Sequence, residues 1–217
     1  MKSLLIFDLD GTLLDTVADL AASTNFALTQ CGFPTHEVSA YHFFIGNGIN
    51  KLFERALPEN AKTQENILRV RHHFLKYYGA HSTELTIPFS GITELLQKLQ
   101  SAGIKLAVAS NKYQQATEEL VQHFFPDIEF TAVFGQRENV PIKPDPTIVY
   151  DILDIAKEVK SNALYIGDSG VDMQTAQNAG IDAAGATWGF RPRAELEAFS
   201  PRYLVENAKE LWEIIIH

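Results

Sequence analysis

The chain has 217 residues, 46% of them hydrophobic, which allows a packed core with a smaller insert, and its formal net charge is −9. That acidic balance, with no basic patch, argues against nucleic-acid and anionic-membrane partners, so an anionic substrate needs a local metal, a few lysines or backbone N–H groups. A single cysteine, Cys31, excludes an internal disulfide; no leader-type apolar region and no stretch of membrane-span length occurs, and a cytoplasmic protein is expected.

In chain order, the run Leu4-Leu5-Ile6-Phe7 reads as a strand buried on both faces of a parallel sheet. The period then turns helical: Val17, Leu20, Ala21, Thr24 and Leu28 share a face that stops at Gly32 and Pro34. Two further helical stretches carry Ile49, Leu52, Phe53 and Ala56, then Ile67, Phe74, Leu75 and Tyr78, with no strand pattern between residues 16 and 81. Beyond residue 87 helices and strands alternate. A helix with Leu95, Leu96 and Leu99 precedes a strand over 104–110 and a helix over 114–124. A strand over 130–135, a helix over 148–156, a strand over 163–168 and a helix over 173–179 follow. A weak strand over 182–187, a short one at 203–205 and a helix over 208–216 close the chain. The alternation predicts an α/β fold: a Rossmann-like core with a mostly parallel sheet and helices on both faces, plus an inserted all-helical cap. The expected division is a core of residues 1–15 and 82–217 and a cap of 16–81.

Ligands of open parallel sheets bind beyond the carboxyl ends of the strands. Those ends carry Asp8-Leu9-Asp10-Gly11-Thr12, Ser110-Asn111-Lys112 and Asp168 to Asp172, with Lys143-Pro144-Asp145-Pro146 in a loop after the third strand. Two carboxylates about 6 Å apart repel by roughly 3 kcal/mol at an effective dielectric of 20. Asp8, Asp10, Asp168 and Asp172 would make several such pairs, which lysines and a hard divalent cation such as Mg²⁺ can offset. An aspartate can attack phosphorus, a metal and a lysine can neutralise the phosphoryl oxygens, and a second carboxyl group can protonate the leaving alkoxide and then activate water. Asp8 and Asp10 fit those two jobs, and Gly11 lets the backbone approach a ligand closely.

These four segments in this order resemble the haloacid-dehalogenase-like hydrolase superfamily. "FDLDGTLLDT", "SNK", "KPDP" and "GDSGVDMQTAQNAG", with the loop "FIGNGINKLF", are most similar to its phosphoglycolate-phosphatase-type enzymes. The resemblance covers the whole chain. It implies a Mg²⁺-dependent phosphatase acting on a small phosphorylated metabolite, with Asp8 as nucleophile and Asp10 as acid/base. Mg²⁺ would be held by the Asp8 side chain, the Asp10 backbone carbonyl and Asp168, and Asp172 would orient metal-bound waters from one layer back. Ser110 and Asn111 would bind the phosphoryl group, beside Gly11 and Thr12, and Lys143 would hold both that group and Asp8. The metal-free dehalogenases of the superfamily lack the Asp10-type residue. A β-phosphoglucomutase-like mutase, a pyrophosphatase and a receiver-like phospho-acceptor module are the rival readings; the helical insert and Asp10 favour turnover.

Other residues carry blander expectations. Lys112 reads as a surface or rim lysine, Ser169 as the cap of the following helix, and Lys51 and Arg55 as exposed helix charges. Gly46 and Gly48 read either as a helix–helix turn or as backbone donors facing the far end of the substrate. Trp188 to Arg191 should line the rim. Hinges are expected near 14–16 and 82–88.

Overall fold

The run Leu4–Phe7 forms β1, buried along its whole length. It is followed by β2 (Leu14–Asp15), α1 (Val17–Gln30), α2 (Val38–Phe44), α3 (Ile49–Ala56) and α4 (Gln64–His81). Then come β3 (Ile87–Pro88), α5 (Ile92–Ser101), β4 (Lys105–Tyr113), α6 (Gln114–Phe124), β5 (Phe130–Gln136), α7 (Thr147–Ala156) and β6 (Ala163–Gly167). The chain ends with α8 (Gly170–Ala179), β7 (Asp182–Ala186), α9 (Arg193–Glu197), β8 (Tyr203–Val205) and α10 (Ala208–Ile216). The computed structural model describes residues 2–216.

Six strands form one sheet in the order β5-β4-β1-β6-β7-β8, and every pairing in it is parallel. β1 therefore lies between β4 and β6, where the strand order reverses, which is the place an open sheet offers a ligand. Because side chains alternate along a strand, Leu5 and Phe7 pack with α5, α6 and α10 on one face, while Leu4 and Ile6 pack with α7 and α8 on the other. A sheet covered on both faces needs continuous apolar strands, and β1 and β6 have them. β2 pairs with β3 in a separate two-stranded sheet that the sequence pattern did not predict.

The chain divides into two compact units: residues up to Leu14 with those from Pro88 onward, and Asp15–Ile87. The second unit is helical, with α1 packed on α4 and α2 bridging α1 and α3. The segment 82–87, expected with the core, groups instead with these helices. The cause is Asp19 of α1, whose buried carboxylate accepts from the backbone N–H groups of Leu85 and Thr86 and from the Thr86 hydroxyl at 2.7–3.1 Å. In the same unit Gly46 and Gly48 adopt φ of +110° and +78° in the connection between α2 and α3. Arg55, expected to be a plain helix charge, donates to the carbonyls of Phe43 and Phe44 and to Asn47 Oδ1, and so ties down that connection.

Candidate active site

β1 ends at Phe7, and the N–H of Asp8 still donates to the Ile166 carbonyl at 2.9 Å, so Asp8 leaves the sheet in a fixed direction. The chain then wraps tightly: the Leu9 carbonyl accepts from the N–H groups of Thr12, Leu13 and Leu14, and the Gly11 N–H donates to the Leu14 carbonyl. Gly11 has φ +87°, and a Cβ there would lie 2.4 Å from Asp168 Oδ2. Only glycine fits this turn against that carboxylate.

Asp8 is buried, and its Oδ1 accepts from the Leu9 N–H at 2.7 Å and faces the Lys143 ammonium at 2.9 Å. Lys143 reaches it from the loop between β5 and α7, where its bond to Pro144 is cis. The same ammonium donates to Asp172 Oδ1 at 2.7 Å, to the Ala109 carbonyl at 2.8 Å and to the Tyr165 hydroxyl at 3.0 Å. Asn111 sets the backbone of this lysine: its Oδ1 accepts from the Lys143 N–H at 2.8 Å and its Nδ2 donates to the Lys143 carbonyl at 3.0 Å.

Asp168 follows β6. Its Oδ2 accepts from the Phe190 N–H at 2.7 Å, and its Oδ1 from the fully buried Thr12 hydroxyl at 3.4 Å. Asp172, in the first turn of α8, is saturated. Its Oδ1 accepts from Lys143 and Tyr165, and its Oδ2 from the N–H and hydroxyl of Ser169, the residue that caps α8. Four donors fill its lone-pair positions, which suits it to orient neighbours more than to bind an ion directly.

Carboxylate oxygens of Asp8, Asp168 and Asp172 lie within 4.8 Å of one another, the acidic group among the described residues with spacing for a metal ion. Burial, then the charges of Asp172 and Asp10, push the Asp8 carboxyl up to about 7 against the opposing pull of Lys143. Burial and the charges of Asp172 and Asp8 hold Asp168 well above the usual carboxylate range. Burial alone would lower Lys143, but Asp172 and Asp8 outweigh it and keep the ammonium charged. Burial raises the Tyr165 phenol well above its ordinary value, so it serves as a hydroxyl donor. Asp8, Asp10, Asp168 and Asp172 against Lys112 and Lys143 leave a formal excess of two negative charges. All the acidic donors are oxygen, so the residues fit a hard divalent cation.

The structure brings the predicted Asp8, Asp10, Gly11, Thr12, Ser110, Asn111, Lys143, Asp168 and Asp172 to the carboxyl edge of β1, β4 and β6. Gly46 and Gly48 belong to the helical unit, which carries none of these. Lys112 corrects its rim assignment. Its side chain is 5% exposed, and its ammonium contacts Asp10 Oδ1 at 3.0 Å and Oδ2 at 3.2 Å. The signal was available, because Ser110 and Lys112 are two apart on a strand and so share a face. Tyr165 was also missed; inside an apolar strand nothing distinguishes a phenol with a polar duty from a packed ring. The expected rim segment backs Asp168 instead: a Cβ on Gly189 would lie 2.2 Å from Asp168 Cβ, and Trp188 Nε1 donates to the Thr12 carbonyl at 3.1 Å.

Fold and site together define a Rossmann-like α/β hydrolase built around an aspartate at the end of the central strand. The chain belongs to the haloacid dehalogenase-like hydrolase family, whose model matches residues 5–186. Within that family it is phosphoglycolate-phosphatase-like. It is 30% identical over 221 residues to the phosphoglycolate phosphatase of Psychrobacter arcticus, covering 99% of this chain and 96% of that one. With the enzyme of the same name from Vibrio parahaemolyticus it shares 29% over 217 residues, 98% and 95% of the two chains. A crystal structure of a provisionally named phosphoglycolate phosphatase from Lactobacillus delbrueckii subsp. bulgaricus superposes with a TM-score of 0.92 at 33% identity, covering 99% of both chains. No helix among the described residues is long and apolar enough to cross a membrane.

Proposed function

We propose that this chain is a Mg²⁺-dependent phosphatase that hydrolyses a small phosphomonoester through an aspartyl-phosphate on Asp8. The observation that carries the reading is the Lys143 ammonium set between Asp8 and Asp172, beside Asp168, at the switch point of the sheet. Both side-chain bonds of Asp8 given above fall on Oδ1, so Oδ2 is the oxygen that attacks phosphorus. As the P–O ester bond breaks, Asp10 gives its proton to the departing alkoxide. Asp10 then takes a proton from water, the water oxygen bonds to phosphorus, and the acyl phosphate opens to inorganic phosphate and free Asp8. Mg²⁺ held by Asp8, Asp168 and the Asp10 backbone carbonyl would draw charge from the phosphoryl oxygens. The Ser110 hydroxyl and the Asn111 backbone N–H receive the phosphoryl group, Gly11 and Thr12 fix Asp168 beside it, and Asp172 keeps Lys143 in place.

The names of the relatives make phosphoglycolate the first substrate to try. We place the reaction in the cytoplasm, where a lone cysteine remains a thiol. Purified protein with Mg²⁺ should release phosphate from p-nitrophenyl phosphate and from 2-phosphoglycolate, and Asp8→Asn should abolish both. Full activity in that variant would falsify the assignment.

A further inference from the structure

The reaction as written needs Asp10 at the leaving oxygen, yet Asp10 sits two residues from Asp8 among carboxylates suited to a cation. Its carboxylate is not one of the three that cluster within 4.8 Å. The Lys112 ammonium contacts both of its oxygens instead, at 3.0 and 3.2 Å, in a pair whose side chains are 5% and 12% exposed. We infer that Lys112 is a positioning residue for the acid/base carboxylate: its ammonium holds Asp10 out of the Asp8–Asp168–Asp172 cluster and turned to the reacting oxygen. The inference rests on the phosphatase reading above and extends it to a residue with no role there.

Local structure makes the grip rigid. Asp10 is fixed at its backbone by a bridge to Leu14, beside the bond from the Gly11 N–H to the Leu14 carbonyl. Lys112 is fixed by lying in β4, where period-2 alternation sends Ser110 and Lys112 to one face and Asn111 to the other. The other face is the one that orients Lys143. The Lys112 N–H also donates to Ser110 Oγ at 3.2 Å, which occupies that oxygen as an acceptor and leaves its proton for a phosphoryl oxygen. One residue thus sets a phosphate-binding hydroxyl through its backbone and the acid/base carboxylate through its side chain. An ammonium buried on a strand, with both carboxylate oxygens within reach, is a poor choice for a surface charge. It suits a group that must hold a short carboxylate against the pull of a nearby cation.

The test is a double-mutant cycle on p-nitrophenyl phosphate with Mg²⁺. Lys112→Met should lower kcat about 10- to 100-fold, the scale of a misplaced acid/base group, with KM changed less than about threefold. Lys112→Arg, which keeps the charge, should recover most of that loss. In the Asp10→Asn background Lys112→Met should add less than about twofold, because a residue acting through Asp10 has nothing left to position. Calorimetric titration should show each variant taking up Mg²⁺ with wild-type stoichiometry. Should Lys112→Met fail to fold, Lys112→Gln is read by the same criteria. A full multiplicative loss in the Asp10→Asn background, or a raised KM at unchanged kcat, overturns the inference and makes Lys112 a direct substrate ligand. If Asp8→Asn is dead and Lys112→Met is as active as wild type, the inference alone fails; if Asp8→Asn is active, the phosphatase reading itself fails.

Discussion

Lys143→Met isolates how much of the site is held together by one ammonium. Methionine keeps much of the lysine stem's length and bulk, so the packing loss is small and the charge loss dominates. The variant loses ion pairs to Asp8 at 2.9 Å and Asp172 at 2.7 Å, and hydrogen bonds to the Ala109 carbonyl and the Tyr165 hydroxyl. Removing one partner of a buried pair costs about 3–5 kcal/mol, because the other charge stays buried without compensation. In a protein of this size each kcal/mol moves the melting temperature by about 2–4 °C, so a fall of roughly 6–20 °C is expected in metal-free buffer. The fall should be smaller at pH 6 than at pH 8. Asp8, already pushed up to about 7, rises further without Lys143 and is neutral at the lower pH. Adding Asp172→Asn should recover part of the loss, since it removes a charge that the lysine had balanced. Circular dichroism melts of the three variants at both pH values give the cycle directly. A Lys143→Met protein that melts within 2 °C of wild type at pH 8 would refute the argument that this ammonium offsets the carboxylates.

Other outcomes follow from the same geometry. Gly11→Ala combines a strained φ of +87° with a Cβ 2.4 Å from Asp168 Oδ2, so it should displace Asp168 and weaken Mg²⁺ binding at least tenfold by calorimetry. Tyr165→Phe removes the hydroxyl that joins Lys143, Asp172 and the Ala109 carbonyl, and should cost about 1–3 kcal/mol in urea unfolding. Asp8 binds its proton more tightly in the folded state, up to about 7, than its ordinary 3.8. The stability this proton gives the metal-free protein is complete below about pH 4 and is lost as pH rises through 7, at up to about 1.4 kcal/mol per pH unit. If the proposed Mg²⁺ binds at Asp8, saturating Mg²⁺ should flatten that slope near pH 7 in urea titrations, because a bound cation favours the ionised carboxylate.

The core was legible because its strands obey two rules at once. Leu4–Phe7 and Ala163–Gly167 are continuous apolar runs that only a doubly covered parallel sheet explains, and an aspartate follows each. α6 and α10 follow helical spacing closely enough that their bounds agree with the expected ones. β2 and β3 have two residues each, too few for any periodicity to register, and α2, only about two turns long between Pro34 and Gly46, shows too few apolar repeats to stand out. The site divides similarly. Asp8, Lys143, Asp168 and Asp172 announce themselves as charges at strand ends and in the loop after β5. Lys112 has the same credentials, but a lysine in sequence carries no sign of burial. Gly189 and Phe190 act through backbone position alone, one by lacking a Cβ beside Asp168 and the other by an N–H, and no residue type encodes that.

The charges in this site are not interchangeable, and their pairing says why four carboxylates are tolerated. Lys143 serves Asp8 and Asp172, and Lys112 serves Asp10. Asp168 has no lysine or arginine within ion-pair distance among the described residues; it has one backbone N–H and a long contact to a hydroxyl. Two neutral donors do not offset its burial and the neighbouring charges of Asp172 and Asp8, which hold its carboxyl well above the usual range. A divalent ion would relieve this group more than any other in the cluster. Gly11 and Gly189 both lie so close to Asp168 that a Cβ on either would collide with it. The two lysines pair with Asp8, Asp172 and Asp10, and the carboxylate left without an ion-pair partner among the described residues, Asp168, is the one the proposed metal would serve most.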